Sequence, residues 1–148
     1  MNRATSNPEP HQRTRRDHAT ETAEDYVEAV ADILTENGNC RVTDLARRFA
    51  VSHVTVNRIV DRLQKAGLLV TQPYQPIELT PKGRRLAAKC RERHDIVYRF
   101  LLAIGVDEPT AAIDAEGIEH HVSPATLKRL RAMVEQISAD RLTDEPAS

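Results

Sequence analysis

The chain has 148 residues, of which 29% are charged and 40% hydrophobic, and this balance suits a globular protein of one domain or two small ones. No apolar run approaches the length of a membrane span and the N-terminus is polar, which argues against a transmembrane or secreted protein, so we expect a cytoplasmic one. Only 3% of the residues are aromatic, which leaves the core to aliphatic side chains and favours helices.

The charge is unevenly distributed, although the formal net charge is only -1. Residues 41–93 hold twelve Lys or Arg and four Asp or Glu, whereas the rest of the chain holds nine basic and eighteen acidic residues. One basic block within an acidic protein indicates one anionic partner and one cationic partner. The alternative is a basic face that binds nothing and keeps the protein soluble.

The N-terminal residues 1–21 lack apolar periodicity and are predicted to form a disordered arm. Arg13, Arg15 and Arg16 of this arm are either contacts to DNA phosphate or part of a solvated tail. A first helix is predicted to start near Thr22, which can cap it, and to stop at Gly38.

Two short helices follow, separated by a tight turn over residues 50–52, and this spacing indicates a helix-turn-helix. Thr43 is predicted to cap the first of them and Ser52 the second. Two strands are predicted directly after the second helix, at residues 68–71 and 77–80. A β-hairpin in that place makes a winged helix, so residues 22–80 are predicted to be a winged helix-turn-helix DNA-binding domain.

The remainder is predicted to be helical, with a long helix that Thr80 caps and Pro81 opens. Two shorter helices should follow, which gives a helical dimerisation domain over residues 81–139 and a flexible tail over residues 140–148. The fold class is therefore mainly α, with a small β-hairpin as the wing. The two cysteines match no C-x-x-C spacing and are expected to be reduced packing residues, with a disulfide as the alternative.

The exposed side of the second helix of the motif is predicted to read DNA, because this helix enters the major groove in such folds. Arg58 suits bidentate pairing with guanine, and Asn57 suits adenine. Basic neighbours would contact phosphates, and the tip of the wing would lie over the backbone or the minor groove. The candidate DNA-binding residues are Ser52, His53, Thr55, Asn57, Arg58, Arg47, Arg48, Arg62, Tyr74 and Gln75.

Acidic residues near the C-terminal end of the chain have the chemistry of metal ligands. On a helix, Glu116, Glu119 and His120 are spaced i, i+3 and i+4 and project from one face. Asp25 and Glu28 share a face of the first helix in the same way. Taken alone, each group is also explained as a solvated helix surface.

His94 interrupts the apolar stripe of the long helix, at a position where histidine is more often a satisfied core residue than a ligand. Read together, however, residues 25–28, 93–94 and 114–123 resemble the metal-binding segments of the manganese transport regulators. These regulators belong to the diphtheria-toxin-repressor family of metal-dependent transcriptional regulators. The resemblance covers about residues 22–136, including the winged helix with its segments at residues 45–52 and 79–83.

The resemblance implies a binuclear Mn(II) site, with two ions per subunit. It also implies hard oxygen ligands at Asp25 and Glu116, where iron-responsive relatives are expected to have Met and Cys respectively. Carboxylate and imidazole ligands suit Mn(II). His121 has no implied ligand role, and Val54 stands where many relatives are expected to have Pro, which leaves the base preference open. The implied metal ligands are Asp25, Glu28, His94, Glu116, Glu119 and His120.

The resemblance further implies a homodimeric repressor of manganese uptake that binds palindromic double-stranded operator DNA once Mn(II) has ordered its two DNA-reading heads. Phe100, Leu102 and Met133 are candidates for the dimer interface. Three alternatives stay open: an iron-responsive repressor of the same architecture, a winged-helix regulator that senses an organic ligand, and a di-metal enzyme. No enzymatic turnover is expected.

Overall fold

The computed structural model describes residues 10–143, with side chains from residue 15 onward, and the chain divides into two compact units, residues 1–87 and 88–148. Helices make up most of the described residues, as predicted, and the strands form one small antiparallel sheet. The predicted domain boundary lies at residues 80 and 81, where a long helix (Pro81–Ala103) begins. The division between the two compact units falls after Ala87, about two turns into this helix.

The first unit has the order of elements that the sequence predicted. Its elements are α1 (Pro10–Asn37), α2 (Val42–Phe49), α3 (His53–Lys65), β1 (Leu69–Val70), β2 (Glu78–Leu79) and the beginning of α4 (Pro81–Ala103). The second unit contains the remainder of α4, then α5 (Glu108–Ile118), a 3-10 turn (Glu119–His121) and α6 (Pro124–Thr143). Residues 144–148, predicted as part of a flexible tail, lie outside the described residues.

Helix α1 begins at Pro10, so the predicted start near Thr22 is wrong, and residues 10–21 of the predicted disordered arm are helical. The Thr22 hydroxyl does not cap the helix but donates to the carbonyl oxygen of His18 at 2.9 Å, one turn earlier. Thr20 bonds back to Arg16 in the same way, at 3.0 Å. Threonine oxygens make such bonds inside helices as well as at their ends, which is why the sequence signal was ambiguous.

The helix-turn-helix is formed by α2, a tight turn and α3. Ser52 caps α3 as predicted, because its hydroxyl oxygen accepts from the Thr55 amide at 3.1 Å. The prediction that Thr43 caps α2 is wrong, because that helix starts at Val42, and the Asp44 carboxylate accepts from the Arg41 amide at 2.8 Å. Ala50 closes α2 in the left-handed conformation, with φ of 52°.

The core of the first unit is aliphatic, as the composition requires, apart from one aromatic pair. Tyr26 of α1 stacks on Phe49 of α2 with ring centroids 4.3 Å apart. The pair fixes α1 against the helix-turn-helix, since both rings pack on the same cluster of buried residues. The largest fully buried apolar side chains here are Leu45, Leu63, Leu69, Ile77, Val27, Val30 and Val56.

The wing is a two-stranded antiparallel ladder in which Leu69 pairs with Leu79 and Val70 with Glu78. Its strands are shorter than predicted but lie within the predicted segments. Thr80 ties the wing to the helices, because its hydroxyl donates to the Gly67 carbonyl at 2.6 Å and accepts from the Gly83 amide at 3.0 Å. The predicted cap at Thr80 is therefore confirmed.

The second unit has its own small core, formed by Val97, Leu101, Ala111 and Ala115. Arg131 of α6 forms an ion pair with Glu92 of α4. Both cysteines of the chain are buried free thiols, as predicted, so no disulfide joins them. None of the helices in the described part of the chain is long and apolar enough to cross a membrane.

The close contact at Gly83 predicts a large loss of stability for Gly83→Ala. A Cβ at this position would overlap the backbone carbonyl oxygen of Leu68, which the wing holds in place. Overpacking of this kind costs about 1–3 kcal/mol. Urea unfolding should show that loss, whereas Arg85→Ala, an exposed change two residues further along the helix, should stay within about 0.5 kcal/mol of the parent protein. Equal midpoints for the two variants would contradict this packing.

The thiol of Cys40 should make stability fall at high pH. Burial, and then the nearby Asp44 carboxylate, raise the pKa of Cys40 from 9.0 to about 11, which Arg48 partly offsets. The folded state therefore holds this proton more tightly than the unfolded state, so the stabilisation is complete below pH 9 and is lost as pH rises towards 11. The loss should reach at most about 2–3 kcal/mol. Urea unfolding of the parent and of Cys40→Ala across this range measures it, and a constant difference between the two would contradict it.

Candidate metal centre and nucleic-acid interface

Three side chains of the second unit offer metal-ligand atoms to one point. Each of His94 on α4, Glu116 on α5 and Glu119 in the 3-10 turn has a donor atom within 4.8 Å of the other two. The His94 Nδ1 atom lies 3.5 Å from the Glu116 Oε1 atom. Sequence spacing alone did not predict that His94 lies near the C-terminal end of α5, where the structure places it.

The three ligand candidates differ sharply in burial. The Glu119 side chain is 0% exposed, whereas that of Glu116 is 62% exposed and that of His94 is 27% exposed. Taking a carboxylate out of water costs several kcal/mol unless positive charge or hydrogen bonds compensate it. A cation placed here would therefore have one buried anionic ligand and open access from the side of Glu116.

The donor set fits a divalent cation. The His94 Nδ1 atom is buried, and it has no hydrogen-bond partner among the described residues. A neutral imidazole nitrogen next to two carboxylates is a nitrogen and oxygen donor set that suits Mn(II), Fe(II) or Zn(II). A satisfied core histidine, the alternative that the sequence left open, would have both ring nitrogens hydrogen-bonded or exposed to water.

The predicted single helical face of Glu116, Glu119 and His120 needs correction. Helix α5 ends at Ile118, and the backbone tightens into a 3-10 turn that carries both Glu119 and His120. The His120 Nε2 atom lies 3.5 Å from the Glu119 Oε1 atom, and its side chain is only 3% exposed. Asp25 and Glu28 are half-buried on α1 of the first unit, and their part in a metal site, like that of His120, stays a prediction.

The predicted base-reading residues of α3 lie on its exposed side. His53, Asn57 and Arg58 are exposed, and they face away from the buried Val56 and Val60. Ser52 and Thr55 are occupied by the helix cap, since their two hydroxyl oxygens lie 3.0 Å apart. Among the predicted base-reading residues, His53, Asn57 and Arg58 are therefore the ones whose side chains are exposed and not used by the helix cap.

Val54, which stands where many relatives are expected to have Pro, is an exposed side chain of the same surface. It is 67% exposed on the first turn of α3, beside His53 and opposite the buried face. An aliphatic group in this place suits contact with a thymine methyl group. Helical periodicity had already placed Val54 outside the core, but it was not among the predicted DNA-binding residues.

Two arginines of α2 that were predicted to contact phosphate have different surroundings. Arg47 is exposed. Arg48 instead faces α1, where it lies 3.9 Å from Asp32 and 3.4 Å from Glu36 and donates to the Ala29 carbonyl oxygen at 3.4 Å. The structure thus uses Arg48 to hold α2 on α1, and we leave it out of the phosphate contacts that we propose. Arg62 is exposed, as predicted.

The wing and the two helices of the motif enclose an open cleft of about 400 Å³. Tyr74 stands at the tip of the wing, 97% exposed and with a left-handed φ of 64°, and Gln75 follows it. Thr43 and Thr71 line the same cleft but were not among the predicted DNA-binding residues, because Thr43 was interpreted as a helix cap and Thr71 as part of a strand. The lining residues are Arg41, Val42, Thr43, Asn57, Val60, Thr71, Gln72, Pro73, Tyr74 and Gln75.

A winged helix-turn-helix with an exposed recognition helix, followed by a helical unit with a cluster of metal-ligand residues, defines a metal-dependent DNA-binding regulator. Residues 18–77 match the family model described as the iron dependent repressor N-terminal DNA binding domain. Residues 80–145 match the iron dependent repressor metal binding and dimerisation domain. The chain belongs to the iron-dependent repressor family, the family of the diphtheria toxin repressor, as its resemblance had indicated.

The curated relatives that resemble the chain are named as transcriptional regulators. The chain is 44% identical over 119 residues to the transcriptional regulator MntR of Salmonella typhimurium, which covers 80% of this chain and 76% of that protein. It is 37% identical over 116 residues to the HTH-type transcriptional regulator MntR of Lysinibacillus sphaericus, which covers 78% of this chain and 84% of the relative.

Solved structures agree on the fold. A manganese-dependent transcriptional repressor in complex with manganese is 26% identical and superposes with a TM-score of 0.68 over 76% of this chain. The metal-dependent transcriptional regulator MtsR is 24% identical, with a TM-score of 0.70, and supports the fold alone. The chain spans about half the length of these two solved proteins, 52% and 53%.

The contrast between Arg47 and Arg48 predicts two different defects. Arg47→Ala should weaken DNA binding evenly across sequences and reduce by about 1 the slope of log affinity against log salt, because one phosphate contact is lost. Arg48→Ala should leave that slope unchanged and lower the free energy of unfolding by about 0.5–1 kcal/mol, because its partners on α1 are lost. Fluorescence anisotropy at several salt concentrations and urea unfolding measure the two effects. The reverse pattern would contradict the assignment.

Proposed function

We propose that the protein is a Mn(II)-dependent, DNA-binding transcriptional repressor that controls manganese uptake. One observation carries this proposal: a nitrogen and oxygen donor set at His94, Glu116 and Glu119 is present in the same chain as an exposed recognition helix. The names of the curated relatives support manganese as the metal. The protein would act in the cytoplasm, where the DNA is, as a regulator and not as an enzyme.

We propose that two Mn(II) ions per subunit are held by six residues. These are Asp25, Glu28, His94, Glu116, Glu119 and His120. Their four carboxylates carry four negative charges, which two divalent cations neutralise, whereas the histidines bind as neutral imidazoles. When bound, the metal supplies positive charge and fixes the side chains that ligate it.

The choice of Mn(II) over iron rests on the ligands. The positions of Asp25 and Glu116 offer carboxylate oxygens, and no thiolate or thioether belongs to the proposed set. Both cysteines of the chain are buried, and neither is among the six ligands that the resemblance implies. Hard oxygen ligands suit Mn(II). The same ligands nevertheless have a higher intrinsic affinity for Zn(II) than for Mn(II). Selectivity would therefore come from coordination geometry and from metal supply.

The proposed coupling to DNA runs through α1. The predicted ligands Asp25 and Glu28 lie on this helix, which is joined to α2 by the Tyr26 and Phe49 stack and by the ion pairs of Arg48. A restraint on α1 is therefore transmitted to the helix-turn-helix as to one rigid body. Ordering the DNA-reading head before it binds reduces the entropy cost of docking.

The protein is proposed to bind as a homodimer. A two-fold dimer requires a palindromic operator with half-sites about 34–36 Å apart, one turn of DNA. The matched family description names a dimerisation domain over residues 80–145, which supports this part of the proposal. The partners are therefore a second copy of the chain and double-stranded DNA.

The direct test is a DNA-binding titration on the protein's own upstream region with Mn(II), with Fe(II) under anaerobic conditions, with Zn(II) and without metal. Mn(II) should tighten binding at least tenfold over the metal-free protein. Stronger activation by Fe(II) at equal free concentration would favour the iron-responsive alternative. Equal binding under all four conditions would contradict metal control altogether.

Substitution of a single ligand should raise the Mn(II) concentration that DNA binding requires and should leave the fold unchanged. In Glu116→Gln and Asp25→Asn, the free Mn(II) concentration at half-maximal DNA binding should rise at least tenfold, because each loses a charged ligand. Glu108→Gln removes an exposed carboxylate from the first turn of α5 and serves as the matched control, with no shift expected. Parent-like titrations for Glu116→Gln and Asp25→Asn would instead favour a regulator that senses an organic ligand.

A further inference from the structure

Helix α1 begins before the matched DNA-binding domain and before the core on which it packs. The family match starts at residue 18, whereas α1 starts at Pro10. Every side chain described between residues 15 and 20 is exposed, and the first half-buried one is that of Glu21. We call residues 10–20 the arm of α1. Apart from Pro10 and Ala19 every residue of the arm is polar, so burial of an apolar face does not explain its presence.

The arm is helical because it continues a helix that packing has already formed. Further along α1, Tyr26 stacks on Phe49 of the helix-turn-helix. Starting a helix is unfavourable, whereas adding residues to an existing helix costs little. The Thr20 hydroxyl, which donates to the Arg16 carbonyl oxygen at 3.0 Å, lies within this continuation. Helical geometry therefore fixes where the side chains of the arm stand relative to the helix-turn-helix.

Two arginines of the arm lie on the side of α1 that packs on the helix-turn-helix. Arg15 precedes Tyr26 by eleven residues, and Arg16 precedes Val27 by eleven. Three turns of α-helix take about 10.8 residues, so each arginine shares a side of α1 with its counterpart. Tyr26 and Val27 are buried in the core of the first unit. The arginines therefore continue the packed side of α1 about 16 Å beyond these two residues.

The acidic neighbours of these arginines project elsewhere. Asp17 follows Arg15 by two residues, which is about 200° around the helix, and Glu21 follows Arg16 by five, which is about 140°. Arg16 and Asp17 are adjacent in sequence and do not face each other on a helix. Neither guanidinium forms an ion pair with another described side chain, and both are exposed. This side of the arm thus presents two positive charges that the described residues leave uncompensated.

The base-reading end of α3 is close to the same part of α1. Phe49, which stacks on Tyr26, precedes His53 at the start of α3 by four residues. Four residues span at most about 14 Å. This span, like the 16 Å from Tyr26 to Arg15, is short compared with one turn of DNA, about 34–36 Å. A duplex bound along α3 therefore has backbone phosphates within reach of an arm on this side.

We propose that Arg15 and Arg16 form a further DNA contact, in which the arm of α1 places two guanidinium groups on backbone phosphates beside the segment that α3 reads. The inference rests on the proposed DNA-binding function and extends it to residues that precede the matched domain. Guanidinium groups suit phosphate oxygens in charge and in geometry. Phosphate contacts add affinity and fix the register but give no sequence preference. Arg13 belongs to the same arm, but its side chain lies outside the described residues.

Removal of the two charges in the full-length protein tests this contact. In Arg15→Ala/Arg16→Ala, the slope of log affinity against log salt should fall by about 2 for each bound subunit, because two phosphate contacts are lost. The fall should be the same on the protein's own upstream DNA and on an unrelated duplex, since phosphates are common to both. Alanine favours helix, so the helical circular dichroism should be unchanged.

The matched control is Lys128→Ala/Arg129→Ala, which removes two adjacent exposed basic residues from α6. No change of slope is expected for this variant. An unchanged slope for Arg15→Ala/Arg16→Ala on both duplexes would overturn the proposed contact.

An exchange of two residues tests whether the side of the arm matters. Arg15→Asp/Asp17→Arg keeps the composition and the net charge and moves one guanidinium about 200° around the helix. The exchange should weaken binding at low salt at least fivefold, because a carboxylate then faces the phosphates. A solvated arm would instead bind DNA equally well in both arrangements, and parent-like affinity of the exchanged variant would overturn the assignment of this side.

These outcomes are separable from failure of the proposed function. Binding to an unrelated duplex at low salt requires no Mn(II), so the slopes of parent and variants are comparable even if Mn(II) does not activate the protein. Conversely, a parent protein that Mn(II) activates, with a slope that the arm variants leave unchanged, would overturn the arm contact and leave the repressor proposal standing. A protein that bound neither duplex under any metal condition would overturn both.

Discussion

A fully buried carboxylate, that of Glu119, is the constraint on which the rest of the proposed mechanism depends. Water no longer solvates this group, so its charge must be balanced by neighbours or by a cation. His94 and Glu116 bring a nitrogen and a second carboxylate to the same place. The carboxylate of Glu116 adds a second negative charge beside Glu119 and so increases the repulsion at this place. A divalent cation would neutralise both carboxylates.

The position of Glu119 follows from how α5 ends. The α-helix stops at Ile118 and tightens into the 3-10 turn, which lets Glu119 enter the interior while Glu116, three residues earlier, stays open to water.

Much of the fold was predictable from the sequence because its signals are local. Ser52, Thr80 and the apolar periodicity of α3 each act within a few residues, and the winged helix follows from their order. The start of α1 and the cap of α2 were not predictable in this way. Thr22 and Thr43 are equally compatible with a cap and a helix interior, and Asp44 decides the second case by bonding to Arg41.

The candidate site residues also differ in whether local sequence signals or tertiary packing determine them. Spacing alone identified Glu116 and Glu119 as possible ligands, but the approach of His94 from another helix depends on packing, and only the family resemblance anticipated it. Arg48 illustrates a different limit. Its charge suggested a phosphate contact, and its neighbours Asp32 and Glu36, one and two helical turns after the predicted ligand Glu28, give it ion-pair partners inside the protein. Charge counts do not reveal which basic residues are already paired.

In the proposed mechanism, metal at the His94, Glu116 and Glu119 cluster and DNA at α3 stabilise the same ordered state. Linkage then requires each ligand to tighten the binding of the other by the same factor. The most direct measurement is the affinity of the full-length protein for Mn(II), from the electron paramagnetic resonance signal of the free ion, with and without saturating upstream DNA. Saturating DNA should tighten Mn(II) binding by the same factor, at least tenfold, by which Mn(II) tightens DNA binding. Identical Mn(II) affinities in the presence and absence of DNA would contradict it.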